Sequence, residues 1–457
     1  MKLFFSSEQN FKTKIINIFK SVKKEIYIFA FQINDKDIIK EINNLAEKNV
    51  NINILVHFWP SDELKKTIDN KCKLTYIKNK LFHHKTILID NHIVITGSSN
   101  LHVNSVNGYD TEYILKLENQ ENLVKYHKNI FKSYIENINV TNKNFYNENN
   151  ILQNVWYSKY TDLMEKILHY LNSAKKSITI MHFWLTSKVI IDKLIEISKN
   201  IDIKILLDKR SFERDRQQFN NSNAIEYLYS NNIDVKIIDT KLFHYKVILI
   251  DDNICLLGSQ NLYNQAFKKH YEDISLFNSE KLCKLFESHY TWLLNNYNCY
   301  TYKEWELNLF CKKYNINKND ICIVGSHLLS KLNLRKSNDI DFILSTNVRN
   351  KLKLPKRNKS CGKYIEIVSY NWHPKIKDDE LIKNLKYYDI LPNGFKICKL
   401  QMLIDKKQKH NREKDIRDLK LIENINNFKG NRNNISIIDR TNCIPSGKGE
   451  LILLYMD

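Results

Sequence analysis

The sequence predicts an α/β fold in which one unit is built twice and then followed by a smaller α+β unit. Three observations carry that reading. A six-residue signature recurs with every gap preserved: His83, Lys85, Asp90, Gly97, Ser98 and Asn100, then His244, Lys246, Asp251, Gly258, Ser259 and Asn261, 161 residues later. Each copy is preceded by an apolar run, an amphipathic segment and a second apolar run. Beyond residue 300 both patterns stop and a different one begins.

Taken in order, EIYIFAFQIND (25–35) reads as a strand, DIIKEINNLAEKN (37–49) as a helix with apolar residues on one face, and VNINILVHFW (50–59) as a second strand. The counterparts are SITIMHFWLTS (177–187), VIIDKLIEISKN (189–200) and IDIKILLDKR (201–210). Strand, helix, strand in this order implies parallel strands joined by helical crossovers. Each histidine then leads into a hairpin, TILIDNHIVITG or VILIDDNICLLG, with Asp90-Asn91 and Asp252-Asn253 as the turn residues. Gly97 and Gly258 end the hairpins, where a residue without a Cβ lets the backbone turn sharply. The polar stretch 139–150 separates the halves, so the expected domains are 1–145, 150–300 and 305–457.

The residue types suit phosphodiester chemistry. Such a bond needs a nucleophile, an acid for the departing oxygen, and cations or donors for the phosphoryl oxygens. One neutral imidazole can attack phosphorus while a second, protonated, serves the leaving group. Lys85, Lys246, Asn100 and Asn261 supply charge and hydrogen bonds. The signature, with its strand-helix-strand lead-in over roughly residues 1–300, resembles the phospholipase D superfamily. That resemblance implies two repeats facing each other as a pseudo-dimer around one site, a phosphohistidine intermediate, and no metal or other cofactor. It also implies His83 as nucleophile and His244 as general acid. Glu112 and Glu272 then match the acidic residues that orient the histidines, and the motif residues Asp90 and Asp251 complete the site with a structural role. His84 and His92 lack counterparts, since Tyr245 and Asn253 stand in their places, and are read as non-catalytic.

In the last third, ICIVGSHLLSKLNLRKSNDIDFILS (321–345) reads as strand, Gly325-Ser326 turn, helix, strand. Asp339 and Asp341 are two apart, so on a strand their carboxylates share a face. Glu366, among β-branched residues in KYIEIVSY, adds a third carboxylate from a neighbouring strand. The set resembles the polymerase-beta-like nucleotidyltransferases, with 412–423 as the helix following the core. By that resemblance Gly325 and Ser326 cradle a nucleoside triphosphate, and Asp339, Asp341 and Glu366 hold Mg2+. PSGKGE (445–450) lacks the spacing of a phosphate-binding loop.

Charge directs the choice of substrate. The formal net charge of +20 is uneven, 40 Lys/Arg against 33 Asp/Glu up to residue 300 and 31 against 18 after it, which favours a polyanionic partner. The resulting expectation is a nuclease or nucleic-acid end-processing enzyme, acting on DNA or RNA, with a C-terminal nucleotidyltransferase. The alternatives are a phospholipid hydrolase or phosphatidyltransferase at a membrane surface, with HFWP (57–60) and HFWL (182–185) as its apolar contacts, and a nucleic-acid-binding protein with an inactive C-terminal domain. Both aromatic segments equally suit buried strand ends. No apolar run spans a bilayer, MKLFFSSEQN is too short for a signal core, and nine cysteines form no C-x-x-C pair, so the chain reads as cytoplasmic and reduced. Two repeats in one chain complete a site without dimerisation, so a monomer is expected.

Overall fold

In the computed structural model, residues 1–8, 10–61, 63–136, 138–141, 151–212 and 223–428 are described. Most of the 139–150 connection, Cys443 and the 445–450 segment lie outside them. The chain divides between Leu293 and Leu294 into two units.

The first unit holds both copies of the signature. Its first half contains β1 (Lys2–Phe5), α1 (Phe11–Lys20), β2 (Glu25–Ala30), α2 (Lys36–Glu47), β3 (Asn51–His57), β4 (Lys73–Ile77), β5 (Leu81–Phe82), β6 (Lys85–Ile89), β7 (Ile93–Gly97) and β8 (Tyr113–Leu117). Seven of these strands form a sheet with β1 at one edge, in the order β1-β8-β7-β6-β2-β3-β4. The crossover strands β2, β3 and β4 are parallel, and the hairpin β6-β7 joins antiparallel to β2. Asp35 caps α2 by accepting from the Asp37 and Ile38 amides, and Ile38, Ile42 and Leu45 turn one face of α2 to the core. Burying side chains of this size removes each from water at about 1.5–3 kcal/mol.

The second half repeats this with β9 (Leu152–Tyr157), β10 (Ser177–His182), β11 (Asp202–Asp208), β12 (Asp234–Ile238), β13 (Lys246–Ile250), β14 (Ile254–Gly258), β15 (His270–Tyr271) and β16 (Asp273–Asn278). Its strands run β12-β11-β10-β13-β14-β16-β9, with β10, β11 and β12 parallel. The expected strand-helix-strand units are therefore present in both halves, the helices being α2 and Lys188–Ile197.

Two local readings change. The second hairpin turns on Asp251 and Asp252, both left-handed at φ of 50° and 65°, and not on Asp252-Asn253. The motif aspartate itself takes the left-handed position, because only then does its carboxylate fold back onto the chain before β10. The glycines are required for close approach: a Cβ on Gly97 would lie 2.4 Å from the Tyr113 carbonyl oxygen, and one on Gly258 2.4 Å from that of Asp273.

The second unit has a six-stranded sheet of its own, ordered 359–360, 365–367, 340–344, 321–324, 396–398, 388–390. Ile321–Val324 is followed by the short helix His327–Lys331 and the antiparallel strand Ile340–Leu344, as the sequence reading has it. Glu413–Phe428 is helical.

Candidate functional site

Each histidine stands at the start of a hairpin strand, and the chain that brings it there is held by the other half. The His83 amide donates to the Tyr271 carbonyl and the His244 amide to the Thr111 carbonyl, both at 2.9 Å. In the same crosswise manner β5 pairs parallel with β15, and Phe243 bridges to Thr111. The two imidazoles meet with ring centroids 6.1 Å apart and planes perpendicular.

The carboxylates cross over too. His83 Nδ1 donates to Glu272 Oε2 at 2.9 Å, and His244 Nδ1 shares a hydrogen bond of 2.6 Å with Glu112 Oε1, so each half supplies the glutamate for the other half's histidine. Both glutamates are fully buried. With Nδ1 committed, Nε2 is left as the reactive nitrogen of each ring. Lys85 Nζ donates to the His83 carbonyl at 2.6 Å and Lys246 Nζ to that of His244 at 2.9 Å, which fixes both ammonium groups beside the rings. Asn100 and Asn261 are buried alongside, their Oδ1 atoms without a hydrogen-bond partner among the described residues.

Burial governs the electrostatics. It lowers His83 to about 3 and Lys85 to about 8, and it takes His244 and Lys246 well below their ordinary values with help from the neighbouring cations. Both imidazoles therefore rest uncharged at neutral pH unless a carboxyl shares its proton. The two glutamates differ. Burial raises Glu112 to about 8, whereas on Glu272 the same penalty is outweighed by His83, His270 and Lys85, leaving it ionised.

Asp90 and Asp251, grouped with the site by their motif, are not in it. Asp90 accepts the amides of Lys23, Lys24 and Glu25, and Asp251 those of Lys175, Lys176 and Ser177, clamping each hairpin turn to the neighbouring strand entry. His84 and Tyr245, equivalent in position, are also structural: His84 bonds Asp273 and Tyr134, and Tyr245 bonds His289.

The sequence reading names Phe183 only within HFWL and gives no role to Phe31 and His270, which also neighbour the histidines. Phe31 and Phe183 each lie 5.4 Å from a histidine ring, His83 and His244 respectively, and each takes a motif lysine near its face. Both immediately follow β2 or β10, so superposing the two lead-ins would have found them. His270 was missed because it has no histidine counterpart: Asp110 occupies its place. Just after β3, Phe58 and Trp59 are 39% and 68% exposed, with Lys78 Nζ 4.5 Å from the Phe58 ring centre. HFWP is thus no buried strand end, while Phe183 and Trp184 are half-buried.

In the second unit, Asp339, Asp341 and Glu366 converge with one oxygen from each within 4.8 Å of the others. Asp341 and Glu366 face each other across adjacent parallel strands. Gly325, at φ 74°, abuts them so closely that a Cβ would sit 2.5 Å from Asp341 Oδ2. Ser326 follows at the start of the short helix. Three hard oxygen donors fit Mg2+ by their chemistry.

Residues 15–135 and 167–294 match the family model described as "Cardiolipin synthase, PLD-like domain". A cardiolipin synthase of Clostridium perfringens (strain SM101 / Type A) is 24% identical over 340 residues, covering 63% of this chain and 69% of that one. Among solved structures, phosphatidylserine synthase of Haemophilus influenzae Rd KW20 superposes with a TM-score of 0.51 at 14% identity, over 66% of this chain and 87% of the other. Polyphosphate kinase of Porphyromonas gingivalis superposes at 0.50 and 12% identity, over 65% and 48%. The two structures establish likeness of fold.

Proposed function

This chain belongs to the PLD-like domain family of cardiolipin synthase and is an enzyme of phosphodiester chemistry, and on that premise we propose that it hydrolyses or transfers the phosphatidyl group of a glycerophospholipid. His83 Nε2 attacks phosphorus, forming a P–N bond as the bond to the departing alcohol breaks and that oxygen takes a proton from His244 Nε2. The incoming alcohol or water then gives its proton to His244 and displaces His83 from phosphorus. Lys85, Lys246, Asn100 and Asn261 hold the phosphoryl oxygens throughout, and no step calls on a metal.

The observation that carries this reading is the pair of buried histidines facing each other at 6.1 Å, each backed by a glutamate from the opposite half. The nuclease reading favoured by charge yields to the phospholipid alternative, since the matched family and the Clostridium relative both carry the name cardiolipin synthase. Phe58 and Trp59, exposed just after β3 with Lys78 against the Phe58 ring, suit the headgroup layer of an anionic bilayer. Among the described residues no helix is long and apolar enough to cross a membrane.

The test is incubation with phosphatidylglycerol vesicles and, separately, with DNA and RNA, all in EDTA. Release or transfer of the headgroup is the expected result. Cleavage of nucleic acid with the lipid untouched would return the nuclease reading.

A second activity is proposed for the other unit on the convergence of Asp339, Asp341 and Glu366. These residues would hold Mg2+, which supplies charge neutralisation on triphosphate oxygens, while Gly325 and Ser326 line the approach. Titration with Mn2+ should show a site in the wild type that Asp341→Asn removes. Equal binding by both proteins would end the nucleotidyltransferase reading.

A further inference from the structure

The two halves are alike around their glutamates down to single hydrogen bonds. Ser6 Oγ donates to the Asp110 carbonyl at 2.7 Å and accepts the Glu112 amide at 2.7 Å. Ser158 Oγ donates to the His270 carbonyl at 3.1 Å and accepts the Glu272 amide at 2.8 Å. Asp110 and His270 therefore occupy one position, two residues before the glutamate, with opposite chemistry.

That difference reaches the carboxylates. His270 Nδ1 lies 3.3 Å from Glu272 Oε1 while His83 takes Oε2, so both oxygens of Glu272 receive a donor. Glu112 places Oε1 on His244, and its buried Oε2 has no imidazole against it and no hydrogen-bond partner within normal distance among the described residues, as is true of Asp110 Oδ2, Ser105 being the neighbour of both. The nearest ring to Asp110 is His102 at 3.6 Å, held neutral by burial, so the carboxylate is not offset from that side.

We propose that His270 and Asp110 are positioning residues that give two equivalent histidines unequal tasks: His270 keeps Glu272 a carboxylate behind an attacking His83, and Asp110 keeps a proton on the Glu112–His244 pair for the departing oxygen. The proposal rests on the reading of His83 and His244 as the reacting pair. The groups facing Glu272 are His83, His270, Lys85 and Lys246. Those facing Glu112 are His244, Ser105, Asp110, Lys85 and Lys246, and Asp110 is itself faced by His102, Lys241, Arg210 and Asp208. Burial is the largest influence on Glu112; Ser105 and the two lysines oppose it, and among the neighbours Asp110 acts in the same direction as burial. A carboxyl raised to about 8 still holds its proton at neutral pH, and it passes that proton to His244 Nδ1 across the 2.6 Å contact as Nε2 releases its own to the departing oxygen. Glu272, ionised, accepts from His83 and leaves its Nε2 lone pair free for attack.

The experiment exchanges the two residues in the full chain, as Asp110→His/His270→Asp, and follows a chromogenic aryl phosphodiester. Alkaline quench and peptide mass spectrometry locate the covalent adduct. It is expected on His83 in the wild type and on His244 in the exchanged protein. An adduct on His83 in both, or on His244 in the wild type, overturns the proposal. If the exchanged protein does not fold, single variants decide. Asp110→Asn should move the alkaline limb of the kcat profile to lower pH. His270→Ala should lower kcat at least tenfold at unchanged KM, with recovery in His270→Gln. An unmoved limb together with undiminished kcat in His270→Ala overturns it equally. Failure of the wild type to turn over both the aryl diester and phospholipid would instead remove the reading of the site beneath it.

Discussion

Asp90 and His83 belong to one short motif but do unrelated work. The carboxylate of Asp90 is held below its ordinary value, because three backbone amides outweigh the cost of its partial burial. Asp90→Ala should cost about 1 kcal/mol in denaturant unfolding, since the exposed amides of Lys23 and Lys24 and the half-buried amide of Glu25 lose a charged acceptor. The folded fraction should retain its kcat. With its folded value depressed, Asp90 contributes stability that is present above the unfolded carboxylate range and lost as pH falls through the folded value. A wild-type-to-variant difference that persists unchanged at pH 2 would contradict this. His83→Ala and His244→Ala should each lower turnover by at least about 100-fold, because neither ring can serve as both nucleophile and acid. Substantial activity in both would refute a shared site. Trp59→Ala should weaken sedimentation with anionic vesicles at low salt while sparing a soluble aryl diester. Equal sedimentation would discount Trp59 as a lipid contact. The reacting residues were legible in the sequence because their spacing is held twice. Phe31 and Phe183 are marked only by their equivalent places after β2 and β10, His270 has no histidine counterpart, and the nearness of all three to the rings follows from strand ends that meet only in the fold.

At the level of the elements, the duplicated signature describes a strand, a turn and a second strand whose neighbours fix its ends. The glycine that ends β7 or β14 is dictated by the next strand over, whose carbonyl oxygen fills the space of a Cβ. Gly97→Ala or Gly258→Ala should therefore destabilise by about 1–3 kcal/mol or more, since only backbone displacement relieves the contact. Each should also disturb the glutamate that immediately precedes or adjoins that strand, Glu112 before β8 and Glu272 before β16. A variant with wild-type unfolding midpoint would show that the strand yields freely. The parallel crossovers were legible from periodicity, because apolar alternation and helical spacing are local properties. The second turn was misplaced by one residue, since polar residues at 251–253 are interchangeable in composition and only the clamp of Asp251 on 175–177 selects among them.

For the first unit as a whole, the consequence of the crosswise glutamates is that neither half holds a finished site. Mixing inactive His83→Ala and His244→Ala chains should restore no activity, because both histidine-glutamate pairs are completed within one chain. Recovery of activity on mixing would require halves to exchange between chains. The sequence by itself determined the chemistry and the fold class of this unit. Residue types at conserved spacing name a phosphoryl-transfer reaction, and apolar periodicity names the strands and helices, both being readable from short stretches of chain. Tertiary structure alone decided which glutamate serves which histidine. It also decided that His270 lies against Glu272, whereas its counterpart Asp110 brings no ring to Glu112. Those facts depend on residues as far as 189 positions apart being brought within hydrogen-bonding distance, and on a shared burial that magnifies one neighbouring charge.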